Sequence, residues 1–180
     1  FFKPWDNGHD IPADGKYAVV ENGKYADFIR RRTGHDYPPG DFVDREGHVL
    51  GQHRGIIGYT IGQRRGLGLS LPAPLYVCRK DVPHNAVVLS PEEGLYSTAL
   101  TADEVNWIAG QPPAGPIRAC ARTRYSAKEA PATVTPLPDG RITVTFDTPQ
   151  RAVTVGQAVV LYDGDEVLGG GRVEADQGRC

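Results

Sequence analysis

Two basic runs in this chain have the residue types and spacing to do recognition chemistry. Gln63-Arg64-Arg65 lies between Gly62 and Gly66. Glycines let a backbone approach a polyanion closely, and guanidinium groups offer paired donors to phosphate. In the run Ile117–Tyr125, Arg118, Arg122 and Arg124 all take even numbers. On a strand they project from one sheet face, and Tyr125 ends the run. Two basic elements plus an aromatic suit RNA, where backbone charge and base stacking dominate recognition. An ordinary charged surface would use the same residues, and spacing alone leaves both readings open.

Other chemistry finds little support. There is no G-x-x-x-x-G-K-[ST] phosphate loop and no G-x-S-x-G nucleophile elbow. Gly66-x-Gly68 is too short for a dinucleotide site, and Gly169-Gly170-Gly171 reads as close backbone packing or a bulge. His9, His35, His48, His53 and His84 never fall at zinc-ligand spacing. No catalytic residue and no metal ligand is expected. Cys78 and Cys120 lie within strand patterns and read as small packed hydrophobes, while Cys180 is terminal. Only Cys120, between Arg118 and Arg122, has the cationic setting that activates a thiol. Three cysteines without a C-x-x-C argue against a paired disulfide framework and for a reducing, cytoplasmic setting.

Composition bounds what must position these residues. The chain has 180 residues, 39% apolar and 23% charged, enough for one ordinary domain or two small ones. Lys+Arg 20 against Asp+Glu 22 leaves a net charge of −2, which excludes a globally basic nucleic-acid binder but not a local basic face. No apolar run approaches the roughly 18 residues of a membrane span, so no membrane partner is expected. The chain opens at Phe1, has no Met and shows no signal peptide, which leads us to expect a fragment, or a processed or joined product.

Gly 22 and Pro 15 suit many short strands and turns. Residues 1–23 look irregular, and a helix fits 24–33, capped by Asn22, with Tyr25, Phe28 and Ile29 on one face and Arg30, Arg31 and Arg32 as a solvated last turn. Short strands follow at His48–Arg54 and Ile57–Ile61, then a hairpin of Leu75–Arg79 and Ala86–Leu89. Residues 91–100 read as a looser connection. Beyond it, strands are expected at Val105–Ala109, Ile117–Tyr125, Thr133–Leu137, Arg141–Phe146, Ala158–Tyr162 and Glu166–Leu168. Six short strands at turn spacing suggest a small barrel. The expected fold is mainly β: an irregular segment 1–23, a central α+β domain 24–100 and a six-stranded C-terminal β-barrel 101–180.

Several strings together carry a family likeness. They are Gly51-Gln52-His53-Arg54-Gly55, Tyr59-Thr60-Ile61-Gly62-Gln63-Arg64-Arg65-Gly66-Leu67-Gly68, Val105-Asn106-Trp107 and Arg124-Tyr125. Phe146-Asp147-x-Pro149-Gln150-Arg151-Ala152-Val153-Thr154-x-Gly156-Gln157-Ala158 and Tyr162-x-Gly164-x-x-x-Leu168-Gly169-Gly170-Gly171 complete the set. In order and spacing the chain resembles, from about Asn22 to Val173, the central and C-terminal parts of bacterial tRNA-specific 2-thiouridylases.

That resemblance implies a parent enzyme that thiolates the wobble uridine of certain tRNAs. It implies ATP and magnesium, a persulfide sulfur donor and a tRNA partner rather than DNA. By that resemblance, the adenylation and sulfur-transfer chemistry needs a Ser-Gly-Gly-x-Asp-Ser phosphate loop and two cysteines. The loop is missing here, and Ala18 stands where the second cysteine is expected. The resemblance marks Arg124, Tyr125 and Gln157 as tRNA contacts, and Gln63, Arg64 and Arg65 as a central basic loop. This segment is therefore expected to position tRNA and not to catalyse alone. A stand-alone RNA-binding or translation-factor-like barrel is the alternative, and a purely structural module a third.

Overall fold

The computed structural model describes residues 25–177 and residue 180. The expectations at Ala18 and Asn22, the irregular segment 1–23 and the side chains of Tyr25 and Phe28 lie outside the described residues. Two compact units divide between Tyr37 and Pro38. In the first, helix α1 (Tyr25–Thr33) carries Arg30, Arg31 and Arg32 in its last turn. Gly34, at φ +66°, ends it by donating its N–H to Arg30 O at 2.9 Å, a left-handed cap that glycine adopts without strain. Arg30 also pairs with Asp36 at 3.0 Å.

The second unit begins with a four-stranded mixed sheet. Its strands are β1 (Gly40–Val43), β2 (Val49–His53), β3 (Tyr76–Asp81) and β4 (Ala86–Ser90), in the order β2-β1-β4-β3. β1 and β4 run parallel, while β3 and β4 form the expected antiparallel hairpin. Every residue of Ala86–Ser90 is buried, as suits a central strand written as a continuous apolar run.

His53, only 1% exposed, locks this sheet to its loops. Its Nδ1 accepts the Gly55 N–H at 3.0 Å, so Nε2 carries the proton and donates to Asn85 O at 3.0 Å. Asn85, at φ +49°, in turn donates through Nδ2 to Pro38 O and Pro39 O. The rings of Phe42 and Tyr59 flank the imidazole at 5.6 and 5.7 Å.

Six further strands close a barrel: β5 (Tyr96–Trp107), β6 (Ile117–Arg122), β7 (Ala130–Pro136), β8 (Ile142–Arg151), β9 (Ala158–Asp163) and β10 (Glu166–Gln177). The order around the barrel is β10-β5-β8-β7-β6-β9, all antiparallel. Alternate residues fill the interior: Ala119 and Ala121, Ala132 and Val134, Ile142, Val144 and Phe146, Val159 and Leu161. Small alanines on β6 and β7 face larger residues on β8 and β9, which is how a narrow barrel packs without voids.

The structure corrects several expectations. Ile57–Ile61 is not a strand: Ile56–Gly58 forms a 3-10 turn after Gly55 at φ +118°, and Ile56 and Tyr59 are buried. The residues expected as a loose connection are a 3-10 turn, Glu92–Leu95, followed at once by β5. β5 is long because it pairs with both β8 and β10. β6 ends at Arg122, and a turn closed by Ala127 N–H to Arg124 O follows. Strand alternation therefore does not place Arg124.

Cys78 and Cys180 are joined in a disulfide, against the expectation of unpaired thiols. The Cys180 N–H donates to Gly94 O at 3.1 Å, which returns the chain end to β3. A separation of 102 residues hid this proximity from sequence spacing. Cys78 is fully buried beside Val88 and Leu95, and Cys120 is the free thiol among the described residues. No helix of the described residues is long and apolar enough to cross a membrane.

Gly169-Gly170-Gly171 is a place of close backbone approach. Register shifts on β10 flank it, and a Cβ at Gly170 would collide with Val159 O, while one at Gly171 would sit 2.6 Å from Asp103 O.

Two outcomes follow from this packing. Gly170→Ala should cost about 1–3 kcal/mol, because a backbone oxygen cannot step aside, and lower Tm by roughly 3–10 °C in a thermal melt. Thiol titration in denaturant should find one reactive thiol per chain without reductant and three with it. Reduction should lower Tm, since the chain-entropy value for so long a loop is about 4–5 kcal/mol.

Candidate nucleic-acid interface

The three C-terminal residues singled out by sequence meet at one hollow on the barrel wall. Arg122, Thr123, Arg124, Tyr125, Gln157 and Tyr162 are among its lining residues, and its volume is about 450 Å³. Arg122 closes β6, and Tyr162 lies on the neighbouring β9. The Arg122 guanidinium stacks over the Tyr162 ring at 5.4 Å and pairs with Glu129 at 2.6 Å. Tyr125, in the turn after β6, is 98% exposed. Gln157 ends the turn in which its N–H donates to Thr154 O.

Arg124 is held by backbone rather than by an acid. Its Nη2 donates to Ala152 O and to Arg151 O. Burial lowers its pKa from the usual arginine value, and the charge of Arg151 adds to the effect. A guanidinium remains protonated regardless, so this is a cation held at some electrostatic cost. Arg122 Nε, Arg124 Nε and Gln157 Oε1 are buried and make no hydrogen bond. An unmet buried polar atom costs about 1–3 kcal/mol. Three of them at one hollow is a concentrated cost.

The other arginine of the expected face behaves differently. Arg118 makes a bidentate bridge to Asp147, at 2.8 and 2.6 Å, and bonds Thr133 Oγ1. The Arg118 guanidinium holds the Asp147 carboxyl below the usual carboxylate range. Arg118 is thus a cross-strand tie, absent from the residues that line the hollow.

The central basic loop splits by role. Gln63 is spent inside the loop: Oε1 accepts the Thr60 N–H at 3.0 Å, and Nε2 donates to Arg65 O at 2.9 Å. Its backbone pairs with Val77, anchoring the loop to β3. Arg64 and Arg65 are exposed, and among the described residues neither has a carboxylate partner. Gly62, at φ +84°, opens this loop, and a Cβ there would lie 3.5 Å from Ala152 Cβ and 3.7 Å from Arg151 Nη1. Arg124 and Gly62, the residue that opens the basic loop, thus both reach the pair Arg151–Ala152, while Arg64 lines a separate hollow with Leu69 and Leu75. Arg151 itself pairs with Glu92 at 3.2 Å and lies 5.7 Å from the Tyr76 ring, so it joins barrel to central sheet.

Two features missed from sequence are the partnering of Arg122, itself part of the expected basic run, with Tyr162, and the role of Ala152. Nothing in residue spacing points to the first, because the pair forms across strands. A further cluster, Asp44, Glu46 and His48, places potential ligand atoms within 4.8 Å of one another on an exposed turn. Its own bonds account for it: His48 Nδ1 meets Asp44 Oδ2 at 2.8 Å, which raises the histidine pKa.

Ala152 is buried at φ +53°, which branched residues adopt poorly. Ala152→Val should therefore lower Tm by several degrees in a thermal melt, whereas Arg118→Ala should change stability by under about 1 kcal/mol, as an exposed pair does.

Residues 97–173 match a family model described as an aminomethyltransferase beta-barrel domain, and residues 26–91 match a tRNA methyl transferase PRC-barrel domain. The chain is 50% identical over 163 residues to a tRNA-specific 2-thiouridylase of Acetivibrio thermocellus, covering 91% of this chain and 45% of that protein. It is 49% identical over 152 residues to the one from Magnetococcus marinus, covering 84% and 42%. For Desulforudis audaxviator the figures are 51% over 152 residues, 84% and 44%. The chain spans a little under half the length of these curated relatives. Two adjoining domain matches and relatives of one name at this identity agree: the chain belongs to the tRNA-specific 2-thiouridylase family.

Proposed function

We propose that this segment holds tRNA for an ATP-dependent enzyme that thiolates the wobble uridine. The observation that carries the reading is that Arg124 and the root of the basic loop at Gly62, distant in sequence, both reach Arg151 and Ala152. Arg64 and Arg65, exposed and without a carboxylate partner among the described residues, supply positive charge from the central loop. Arg124 supplies a third cation, oriented by the Ala152 carbonyl so that only part of its donor set is used. Tyr125 offers an exposed ring for a base or a sugar, and Gln157 an uncharged polar contact. Gln63 shapes the loop that presents the two arginines. The net charge of −2 fits a local face rather than a globally basic binder.

ATP and magnesium, implied for the whole enzyme, do not fit the residues here. The sequence contains no Ser-Gly-Gly-x-Asp-Ser run to cradle phosphates. The glycines of the basic loop follow a 3-10 turn and precede no helix, so they present no helix N-terminus to an anion. Uridine activation and sulfur transfer from a persulfide are not assigned to this segment.

The test is tRNA binding at several salt concentrations. Arg124→Ala should weaken binding and reduce the slope of log affinity against log salt by about one. Gln157→Ala should weaken it with the slope unchanged, because an amide releases no counterion. An Arg124→Ala variant that melts normally and keeps both affinity and slope would remove the barrel face from the tRNA site. Incubated with tRNA, ATP, magnesium and a persulfide donor, this polypeptide should form no 2-thiouridine by mass spectrometry above a no-protein control.

A further inference from the structure

We infer that the Cys78–Cys180 disulfide is a redox-sensitive latch that sets how firmly the joint at Ala152, and through it Arg124, is held. Its effect on RNA rests on the tRNA reading; its effect on the fold does not. Cys78 lies on β3 of the central sheet, and Cys180 lies three residues beyond the end of β10 in the barrel. The bond therefore crosses from one sheet to the other, next to the turn that joins them. That turn, Glu92–Leu95, is tied at three points. Glu92 pairs with Arg151 at 3.2 Å, Gly94 O accepts the Cys180 N–H at 3.1 Å, and Leu95 O accepts the Ala152 N–H at 2.7 Å. A Cβ on Gly94 would lie 3.6 Å from Cys180 Cβ, so residue 180 is packed on the turn as well as bonded to it. Leu95 is fully buried in one cluster with Cys78. Bonds on two consecutive residues, Gly94 and Leu95, thus link the disulfide to Ala152, whose carbonyl accepts Arg124 Nη2. Carbonyls are what direct Arg124, so a shift of Ala152 moves the guanidinium with it.

The two sulfurs are unequally placed. Cys78 is fully buried beside Val88, Leu95, Val43 and Tyr76, whereas Cys180 is only partly buried. A thiolate arriving from solvent therefore meets Cys180 Sγ first. The reductant is a dithiol. One of its thiolates attacks Cys180 Sγ, the bond to Cys78 breaks, and Cys78 leaves as a thiolate. Apolar surroundings disfavour that charge, so Cys78 takes up a proton. The second thiol of the reagent then attacks its own sulfur in the mixed disulfide and releases Cys180 as a thiol. The protein gains two electrons and two protons, and the dithiol ends as a cyclic disulfide. With the covalent tie gone, one backbone hydrogen bond and one small contact hold residue 180, too little to offset the entropy of ordering the segment that carries it. The turn then loses one of its three ties, the Leu95–Ala152 bond opens more often, and Arg124 loses its fixed direction.

Two readouts on the full chain test the latch: amide hydrogen exchange and tRNA affinity. Both are taken at a temperature where thermal melts show the oxidised and reduced proteins folded. Reduction with dithiothreitol should speed exchange of the Ala152 N–H by about 5-fold or more, the low end of coupling between linked sites, and leave the Val144 and Leu161 N–H groups of the barrel unchanged. It should weaken tRNA binding by a similar factor of about 5. Cys180→Ser should behave as the reduced protein with or without dithiothreitol. In Arg124→Ala, reduction should leave tRNA affinity unchanged, because the residue through which the latch acts is gone. Equal Ala152 exchange in the oxidised and reduced proteins would overturn the latch and leave the tRNA reading standing. Acceleration of Val144 and Leu161 as well would mean a general loosening, and would overturn it too. Redox-dependent exchange at Ala152 in a chain that binds no tRNA in either state would overturn the tRNA reading and the effect on RNA, while the latch itself stands.

Discussion

The backbone of Ala152 is the joint on which the rest depends. Its N–H donates to Leu95 O at 2.7 Å, tying the end of β8 to the 3-10 turn that leaves the central sheet. Its carbonyl accepts Arg124 Nη2 and Thr154 Oγ1, the latter at 3.0 Å. Its methyl group faces Gly62. One residue therefore registers the barrel against the central sheet, sets the direction of Arg124 and packs against the root of the basic loop. The left-handed conformation makes this possible: it turns the chain sharply enough for N–H and C=O to serve two different elements. A small side chain is required because the position is both buried and at positive φ.

Charge on this molecule is organised by what already holds it. Arg118, Arg141 and Arg172 sit in bridges to Asp147, to Asp139 and Glu174, and to Asp103 and Glu104. These exposed cross-strand pairs contribute little each to stability. Their larger effect is subtraction: they remove most of the barrel wall as an attractor of polyanions. Arg64 and Arg65 have no such partners among the described residues, and Arg124 is countered only by carbonyl dipoles. A chain with a net charge of −2 can in this way keep a basic face of limited extent.

The disulfide and the His53 network act on the same problem from the other side. The central sheet is small, and a sheet of this size depends on packing of its apolar face. His53 uses both ring nitrogens to bind loops to that sheet. Cys78–Cys180 pins the end of the chain against it. Gln63, bonded to Val77 through its backbone, then inherits a rigid base, so the arginines that follow project from a loop with a defined root.

The barrel was legible in the order of residues because its signals are local. Alternation put Ile142, Val144 and Phe146 on one face, and Pro138-Asp139-Gly140 marked a hairpin that the strands confirm. The family motifs were legible for the same reason, as short runs at fixed spacing. The errors came where local pattern met a distant partner. Ile57–Ile61 looks like a strand, but Tyr59 within it packs edge-on against Phe42 and beside His53, and the chain turns to bring it there. Alternation places Arg124 on a strand that ends two residues earlier, and a carbonyl 28 residues away directs it instead. Cys78 and Cys180 could not be paired by spacing. The Arg122–Tyr162 stack exists only because β6 and β9, far apart in the chain, are neighbours in the barrel. Residue types and periodicity are properties of neighbours along the chain, so they specify strands, turns and the supply of arginines. The hollow, its unmet polar atoms and the joint at Ala152 arise from contacts between segments tens of residues apart, which only closure of the barrel against the central sheet creates.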